Sequence, residues 1–122
     1  MQMESHTHRY PANWNLRFMC DCRTPQPELK IYPATVKQLS PYSTRIASSH
    51  NICPNRSITL QLEIPPLQND GHARTLEIIG HTIYTVVEGD YFLTEIEFMR
   101  FDGVSQQVLM QALVQQFGNP DG

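Results

Sequence analysis

The carboxylates with the best spacing for acid–base chemistry are Glu95 and Glu97, in the segment YFLTEIEFM. Residues two apart on a strand share a face, and paired carboxylates can transfer protons in catalysis. Two glutamates in an alternating segment are also typical of a solvated strand face. The sequence contains no nucleophile elbow, Walker A loop, dinucleotide-binding glycine pattern or H-E-x-x-H pair. We therefore predict no catalytic residues and no enzymatic activity.

A zinc site is the second chemistry that the residue types permit. Cys20 and Cys22 are preceded by His6 and His8 and followed by Cys53, and zinc binds four such ligands in a tetrahedron. The C-x-C spacing on a strand is not that of a zinc knuckle, and both cysteines lie on the inward register of a predicted strand. Buried cysteines behave as small apolar residues, so we predict no metal and keep zinc binding as the alternative.

The charge and hydropathy of the chain limit the kinds of partner that we expect it to bind. The 122 residues carry a formal net charge of −3, so no overall positive field attracts a nucleic acid polymer or an anionic membrane. No run approaches the ~18 apolar residues of a membrane-spanning helix, and the N-terminus lacks the apolar core of a secretory signal. The three cysteines favour a reducing compartment. We expect a cytoplasmic protein without membrane insertion, in which any anionic ligand is held by local arginines.

Alternating apolar residues predict six strands separated by turns. The strands are predicted at 14–22, 29–39, 44–48, 57–64, 74–87 and 91–99. Pro33 indicates an edge or a bulge in the second strand, because proline cannot donate to a ladder. Gly80 indicates a bulge in the fifth strand.

After Asp102 the apolar period changes to that of a helix over residues 103–117, which Gly118 ends. This order predicts one mainly β domain over residues 1–122, a small barrel or sandwich closed by one C-terminal helix. We expect residues 1–12 to form a flexible N-terminal segment.

The predicted helix has an unusual outer face, because residues 104–117 include no charged residue. Its apolar stripe includes Leu109, Leu113 and Val114, with glutamines opposite. Packing on the sheet explains this stripe. The alternative is that these three residues bind a protein partner, which would make the chain a protein-interaction module with no nucleotide ligand.

The order of elements resembles the PilZ family of bacterial domains, whose fold is a six-stranded antiparallel β-barrel with a C-terminal helix. SITLQLEIPP is similar to the family's strand after its signature turn, TLEIIGHTIYTVVEGDYFLTEIEF to the following hairpin, and VSQQVLMQALVQQF to the terminal helix. The resemblance covers roughly two-thirds of the chain. It implies a signalling module without a cofactor that either binds cyclic di-GMP or acts as a non-binding adaptor for a protein partner. The implied processes are motility, type IV pilus function and surface attachment.

The family's ligand motifs, R-x-x-x-R and D/N-x-S-x-x-G, are matched in part. Arg9 stands at the second arginine, and Ser5 replaces the first. In QLSPYS, Ser40 matches the family serine, whereas Gln38 replaces Asp or Asn and Ser43 replaces glycine. The resemblance therefore implies that Arg9, Gln38, Ser40 and Ser43 bind the ligand.

Other arginines of the chain could take the place of the missing motif arginine once the chain is folded. An arginine supplies a fork of donors to phosphate or to a guanine edge, and losing one such charge-assisted contact costs about 1.5–3 kcal/mol. We include Arg17 among the predicted ligand residues, and Arg23 or Arg45 could take the same role after folding.

Overall fold

The computed structural model has the order of strands and helix that the alternation predicts. It describes residues 9–19, 31–66, 72–103 and 105–118. The elements are β1 (Asn15–Met19), β2 (Ile31–Leu39), β3 (Ser43–Ser48), β4 (Ser57–Ile64), β5 (Arg74–Glu88), β6 (Tyr91–Phe101) and α1 (Ser105–Phe117). The prediction of six strands followed by one C-terminal helix is confirmed.

The strands form a closed antiparallel barrel in the order β1-β2-β3-β6-β5-β4, and β4 pairs back with β1. The third strand therefore pairs with the sixth and not with the fourth, which follows it in sequence. The predicted fold class, a mainly β six-stranded barrel with one helix, is confirmed, and the sandwich alternative is excluded.

The hydrophobic core lies inside the barrel and is built from the inward residues of the alternating strands. β4 shows the pattern most clearly, since Ile58, Leu60, Leu62 and Ile64 are at most 2% exposed and the residues between them are only half-buried. Burial of one strand face is the main source of stability for such a sheet. The helix adds Leu109, Ala112 and Leu113 to this core.

The burial of the helix corrects one prediction. Leu109 and Leu113 are 0% and 1% exposed, so they pack in the core and are not available as partner-binding residues. Val114 is 45% exposed and lies on the outer face with Met110, which is 43% exposed. The helix ends at Phe117, and the next residue, Gly118, has a φ of 88° and donates its N–H to the Val114 carbonyl at 2.7 Å. In the described part of the chain, no helix is long and apolar enough to cross a membrane.

The N-terminal segment connects the barrel with the helix. Residues 1–8 of the predicted flexible segment lie outside the described residues. Tyr10 is 8% exposed, pairs with Leu39 as an isolated bridge, and stacks on Phe117 with ring centroids 5.1 Å apart. Trp14 donates its indole N–H to the side chain of Gln116 at 3.2 Å. The end of this segment is therefore packed between β2 and the helix.

Three register shifts interrupt the ladders of the barrel. The pairing skips Lys37 on β2, Ile83 on β5 and Met99 on β6, and each extra residue locally breaks the inside–outside alternation. The last shift lies opposite Gly80, where the sequence predicts a bulge, although the extra residue belongs to β6. Pro33 is not at a sheet edge, because the barrel is closed and Pro33 is in register with Arg17 on β1. It lies beyond the residues of β2 that pair with β3, and the bulge of this strand is at Lys37.

Candidate ligand-binding site

A row of polar side chains crosses four strands on the outer wall of the barrel. Gln38 on β2 is in register with Arg45 on β3, Arg45 with Glu95 on β6, and Glu95 with Tyr84 on β5. We call these four residues the polar row. Two of its members follow a bulge, since Gln38 comes after Lys37 and Tyr84 after Ile83. The bulges turn Gln38 and Tyr84 outward, next to the two charged members of the row.

Arg9 belongs to the N-terminal segment, and its side chain lies over the polar row. Its guanidinium forms an ion pair with the Glu95 carboxylate, donates to the Ser43 hydroxyl at 3.0 Å and donates to the Gln38 side-chain oxygen at 3.4 Å. The neighbouring Tyr10 bridge to Leu39 fixes the backbone beside Arg9. Residues from the N-terminal segment, β2, β3 and β6 therefore meet at one guanidinium.

Glu95 is the centre of this arrangement. It accepts hydrogen bonds from Arg9 and from Arg45 Nε, the latter at 3.3 Å, and its side chain is only 13% exposed. Arg45 also donates to the Tyr84 hydroxyl at 3.1 Å. The interpretation of Glu95 and Glu97 as one solvated pair is therefore wrong for Glu95, because Arg9, Arg45 and Tyr84 surround it. Glu97 is exposed.

Ser40 supports the site from inside the turn between β2 and β3. It is fully buried, and its hydroxyl accepts hydrogen bonds from the backbone N–H groups of Tyr42 at 3.0 Å and Ser43 at 3.1 Å. These bonds set the conformation from which the Ser43 hydroxyl reaches Arg9. The Pro41 carbonyl of the same turn accepts a hydrogen bond from Gln106 at 3.1 Å, so the turn also contacts the helix.

The structure brings together four of the five predicted ligand residues, namely Arg9, Gln38, Ser40 and Ser43. Arg17 does not join them, because it faces outward on β1 in register with Pro33 and Gln61. Arg45 supplies the second guanidinium instead. Ser5 and Arg23 lie outside the described residues.

Of the residues weighed for metal binding, Cys53 is the one that the structure describes, and it contributes nothing to this site. Among the described residues, no three His, Cys, Asp or Glu side chains come together as a metal site. Cys53 is a half-buried free thiol, while His6, His8, Cys20 and Cys22 lie outside the described residues. That the protein binds no metal stays a prediction.

One cleft lies between the helix and the paired ends of β4 and β5, where Ile64 is in register with Arg74. It has a volume of about 140 Å³ and is lined by Ile64, Pro65, His72, Arg74, Val108, Gln111, Ala112 and Gln115. Its ionisable residues, His72 and Arg74, are exposed. The polar row is the better candidate, because its charged groups are partly shielded and converge on one another.

The closed six-stranded barrel and its C-terminal helix define a PilZ-like fold. Among solved structures, the chain is similar to the Bacillus subtilis inhibitor of motility, MotI/DgrA, with a TM-score of 0.69 and 15% sequence identity. The similarity covers 92% of this chain and 51% of that protein, so this chain spans about half its length. At this identity the similarity shows the fold alone. A scan against protein families finds no match, and neither does a search of curated proteins.

Proposed function

We propose that this chain is a PilZ-like regulatory module that reads cyclic di-GMP at the polar row and Arg9. The observation that supports the proposal most directly is the contact of the Arg9 guanidinium with Gln38 and Ser43. These residues stand at ligand positions of the PilZ motifs, although they are far apart in sequence. Their convergence on the barrel wall is what a shared ligand requires.

Each residue of the site has chemistry that suits this ligand. Arg9 and Arg45 offer forked donors to phosphate oxygens or to the Hoogsteen edge of guanine. The exposed amide of Gln38 can donate and accept at a base edge, and the phenol of Tyr84 adds an aromatic surface on which a base can stack. The two guanidiniums and the Glu95 carboxylate leave one net positive charge at the site, which favours an anion.

The biological setting forms part of the same proposal. The similar structure belongs to an inhibitor of motility, and motility control is therefore the process we propose first. Control of type IV pili or surface attachment in the bacterial cytoplasm is the wider setting that the resemblance implies. The output would pass to a protein partner.

Calorimetric titration of cyclic di-GMP tests the proposal. The protein should bind with a dissociation constant in the micromolar range or below, and Arg9→Ala should weaken binding at least about tenfold, because one charge-assisted contact is lost. Arg17→Ala is the matched control, since it removes the same charge from the outer wall away from the polar row. Equal losses in the two variants would contradict the assignment of the site.

A protein-interaction module without a nucleotide ligand is the second candidate function. One observation favours it: Met110 and Val114 stand one helical turn apart, are 43% and 45% exposed, and lie on a helix with no charged residue. Met110→Glu and Val114→Asp should each abolish capture of the partner from a cell extract, whereas Gln107→Glu, which adds charge at another exposed position of the helix, should not. Capture that survives the first two changes, with the fold intact by circular dichroism, excludes this face.

A further inference from the structure

The anion-binding position of Arg9 is already occupied by a side chain of the same molecule. Arg9 Nη2 pairs with Glu95 Oε2, and Arg9 Nη1 donates to Glu95 Oε1 at 3.2 Å. Two guanidinium nitrogens thus face two carboxylate oxygens. Arginine uses the same two-pronged geometry for phosphate. The Glu95 carboxylate therefore stands where a phosphate of an incoming ligand would bind.

A second arginine holds Glu95 in this position. Arg45 Nε donates to Oε1 of Glu95 at 3.3 Å, from the residue directly opposite on β3. The side chains of Glu95, Arg9 and Arg45 are 13%, 23% and 34% exposed. Because the carboxylate is shielded from water and contacts both guanidiniums, a ligand anion cannot engage Arg9 in full while Glu95 remains there.

Glu97 shows that position on the strand alone does not produce this arrangement. It lies two residues further along β6, on the same outer face, but it is in register with Ser43 and His81 and is exposed. Only Glu95 is placed opposite an arginine, by the pairing of β3 with β6. The two glutamates therefore form a natural pair for comparison.

We propose that Glu95 is an internal competitor that sets the affinity of the Arg9 site for phosphate-bearing ligands. A ligand phosphate displaces the carboxylate from Arg9, and Glu95 keeps its contact with Arg45. The apparent affinity is then the intrinsic affinity reduced by the small fraction of molecules in which Arg9 is free. This inference rests on the proposed function, because it concerns the same site.

The competitor also determines which anions can bind. To displace Glu95, a ligand must bind Arg9 more strongly than a single carboxylate can. This condition favours phosphate groups and disfavours simple carboxylic acids. A ligand with two phosphodiester groups meets this condition, because one group can replace Glu95 at Arg9 while the second remains near the positive charge of Arg45. Glu95 is on this account a specificity-determining residue.

Titration of four proteins with two probes tests the competitor role. The proteins are the wild type, Glu95→Gln, Glu97→Gln and the double variant Arg9→Ala/Glu95→Gln, and the probes are cyclic di-GMP and inorganic pyrophosphate. Glu95→Gln should bind at least about tenfold more tightly than the wild type, because its amide competes less well for Arg9. Glu97→Gln changes the net charge equally and should alter affinity by about twofold or less, since exposed charges are screened. The double variant should not show the increase in affinity that Glu95→Gln shows.

The possible results separate the competitor from the proposed function. Equal binding by the wild type and Glu95→Gln, or an equal gain in Glu97→Gln, overturns the competitor and leaves cyclic di-GMP reading intact. A gain for pyrophosphate without binding of cyclic di-GMP by any variant supports the competitor and overturns the reader. No binding of either probe to any protein overturns both. If Glu95→Gln fails to fold, Glu95→Asp shortens the side chain while keeping its charge and should still raise affinity.

Discussion

Ser40 matches a family ligand position, yet its contacts in this structure are structural. Its buried hydroxyl accepts from two backbone N–H groups, those of Tyr42 and Ser43, and lies 3.4 Å from the hydroxyl of Ser43. A ligand would therefore meet Ser43 and Arg9 directly, with Ser40 beneath them. In the proposed function, the turn serine would contribute indirectly, by holding Ser43, the residue that contacts Arg9.

Replacement of Ser40 by alanine should destabilise the protein by about 1–3 kcal/mol, because the backbone N–H groups of Tyr42 and Ser43 lose the buried hydroxyl that accepts their hydrogen bonds. Ser49→Ala is the control, since Ser49 is exposed after β3 and surface changes usually stay within about 0.5 kcal/mol. Urea unfolding followed by circular dichroism measures both. A Ser40→Ala midpoint equal to that of the control would show that the turn does not depend on this hydroxyl.

Glu95 and Tyr84 are the residues of the site that the sequence did not reveal, and Glu95 is the more central of the two. Its alternation with Thr94 and Ile96 correctly puts it on the outer face, and that face looks solvated from the sequence. The ion pair with Arg9 joins residues 86 positions apart, and no local pattern encodes such a contact. The motif comparison found Arg9, Gln38, Ser40 and Ser43 because those positions are defined within short segments.

At the scale of elements, the strands were predictable because the buried face repeats every second residue. β4 begins and ends where the alternation predicts, at Ser57 and Ile64. Pro33 and Gly80 indicated irregularities in the second and fifth strands, but the positions of the bulges at Lys37 and Ile83 were not predictable, since neither extra residue is a glycine, a proline or another turn signal. These two bulges turn Gln38 and Tyr84 toward the arginines, so the site depends on bulge positions that the sequence did not reveal.

Gly80 has a steric role that a substitution can test. A Cβ at this position would lie 2.6 Å from Cγ2 of Ile96 and 3.3 Å from the backbone oxygen of Glu97. Gly80→Ala should therefore destabilise the barrel by about 1–3 kcal/mol through overpacking. Denaturant unfolding gives the value.

The clash with Ile96 predicts coupling between the two positions. The double variant Gly80→Ala/Ile96→Ala should lose less stability than the sum of the single variants, because removing the Ile96 side chain relieves the clash. Additive losses would mean that the strain at Gly80 has another source.

At the scale of the whole molecule, the closure of the barrel creates the site. The pairing of β3 with β6 sets Arg45 opposite Glu95, and the pairing of β6 with β5 adds Tyr84. The sequence predicts the number and order of strands but not these partners, because many antiparallel closures bury the same alternating faces. The helix illustrates the same limit, since its wide apolar stripe did not reveal which residues face the barrel.

The two faces of the helix should differ sharply in their contribution to stability. Leu109→Ala removes a core side chain and should lower the free energy of unfolding by about 2–5 kcal/mol. Val114→Ala, on the exposed face of the same helix, should change it by about 0.5 kcal/mol or less. Thermal and denaturant unfolding measure both changes. Similar losses would contradict the packing of the helix described here.

The central claim is that the wall of this barrel carries an anionic-ligand site at Arg9 and the polar row. Titration of isotope-labelled protein with cyclic di-GMP, followed by NMR, tests it most directly. We predict that the largest chemical-shift changes occur at the Arg9 side-chain N–H and at the amides of Gln38, Ser43 and Arg45. Shifts confined to the helix or to the cleft at His72 and Arg74, or no shifts at millimolar ligand, would contradict the claim.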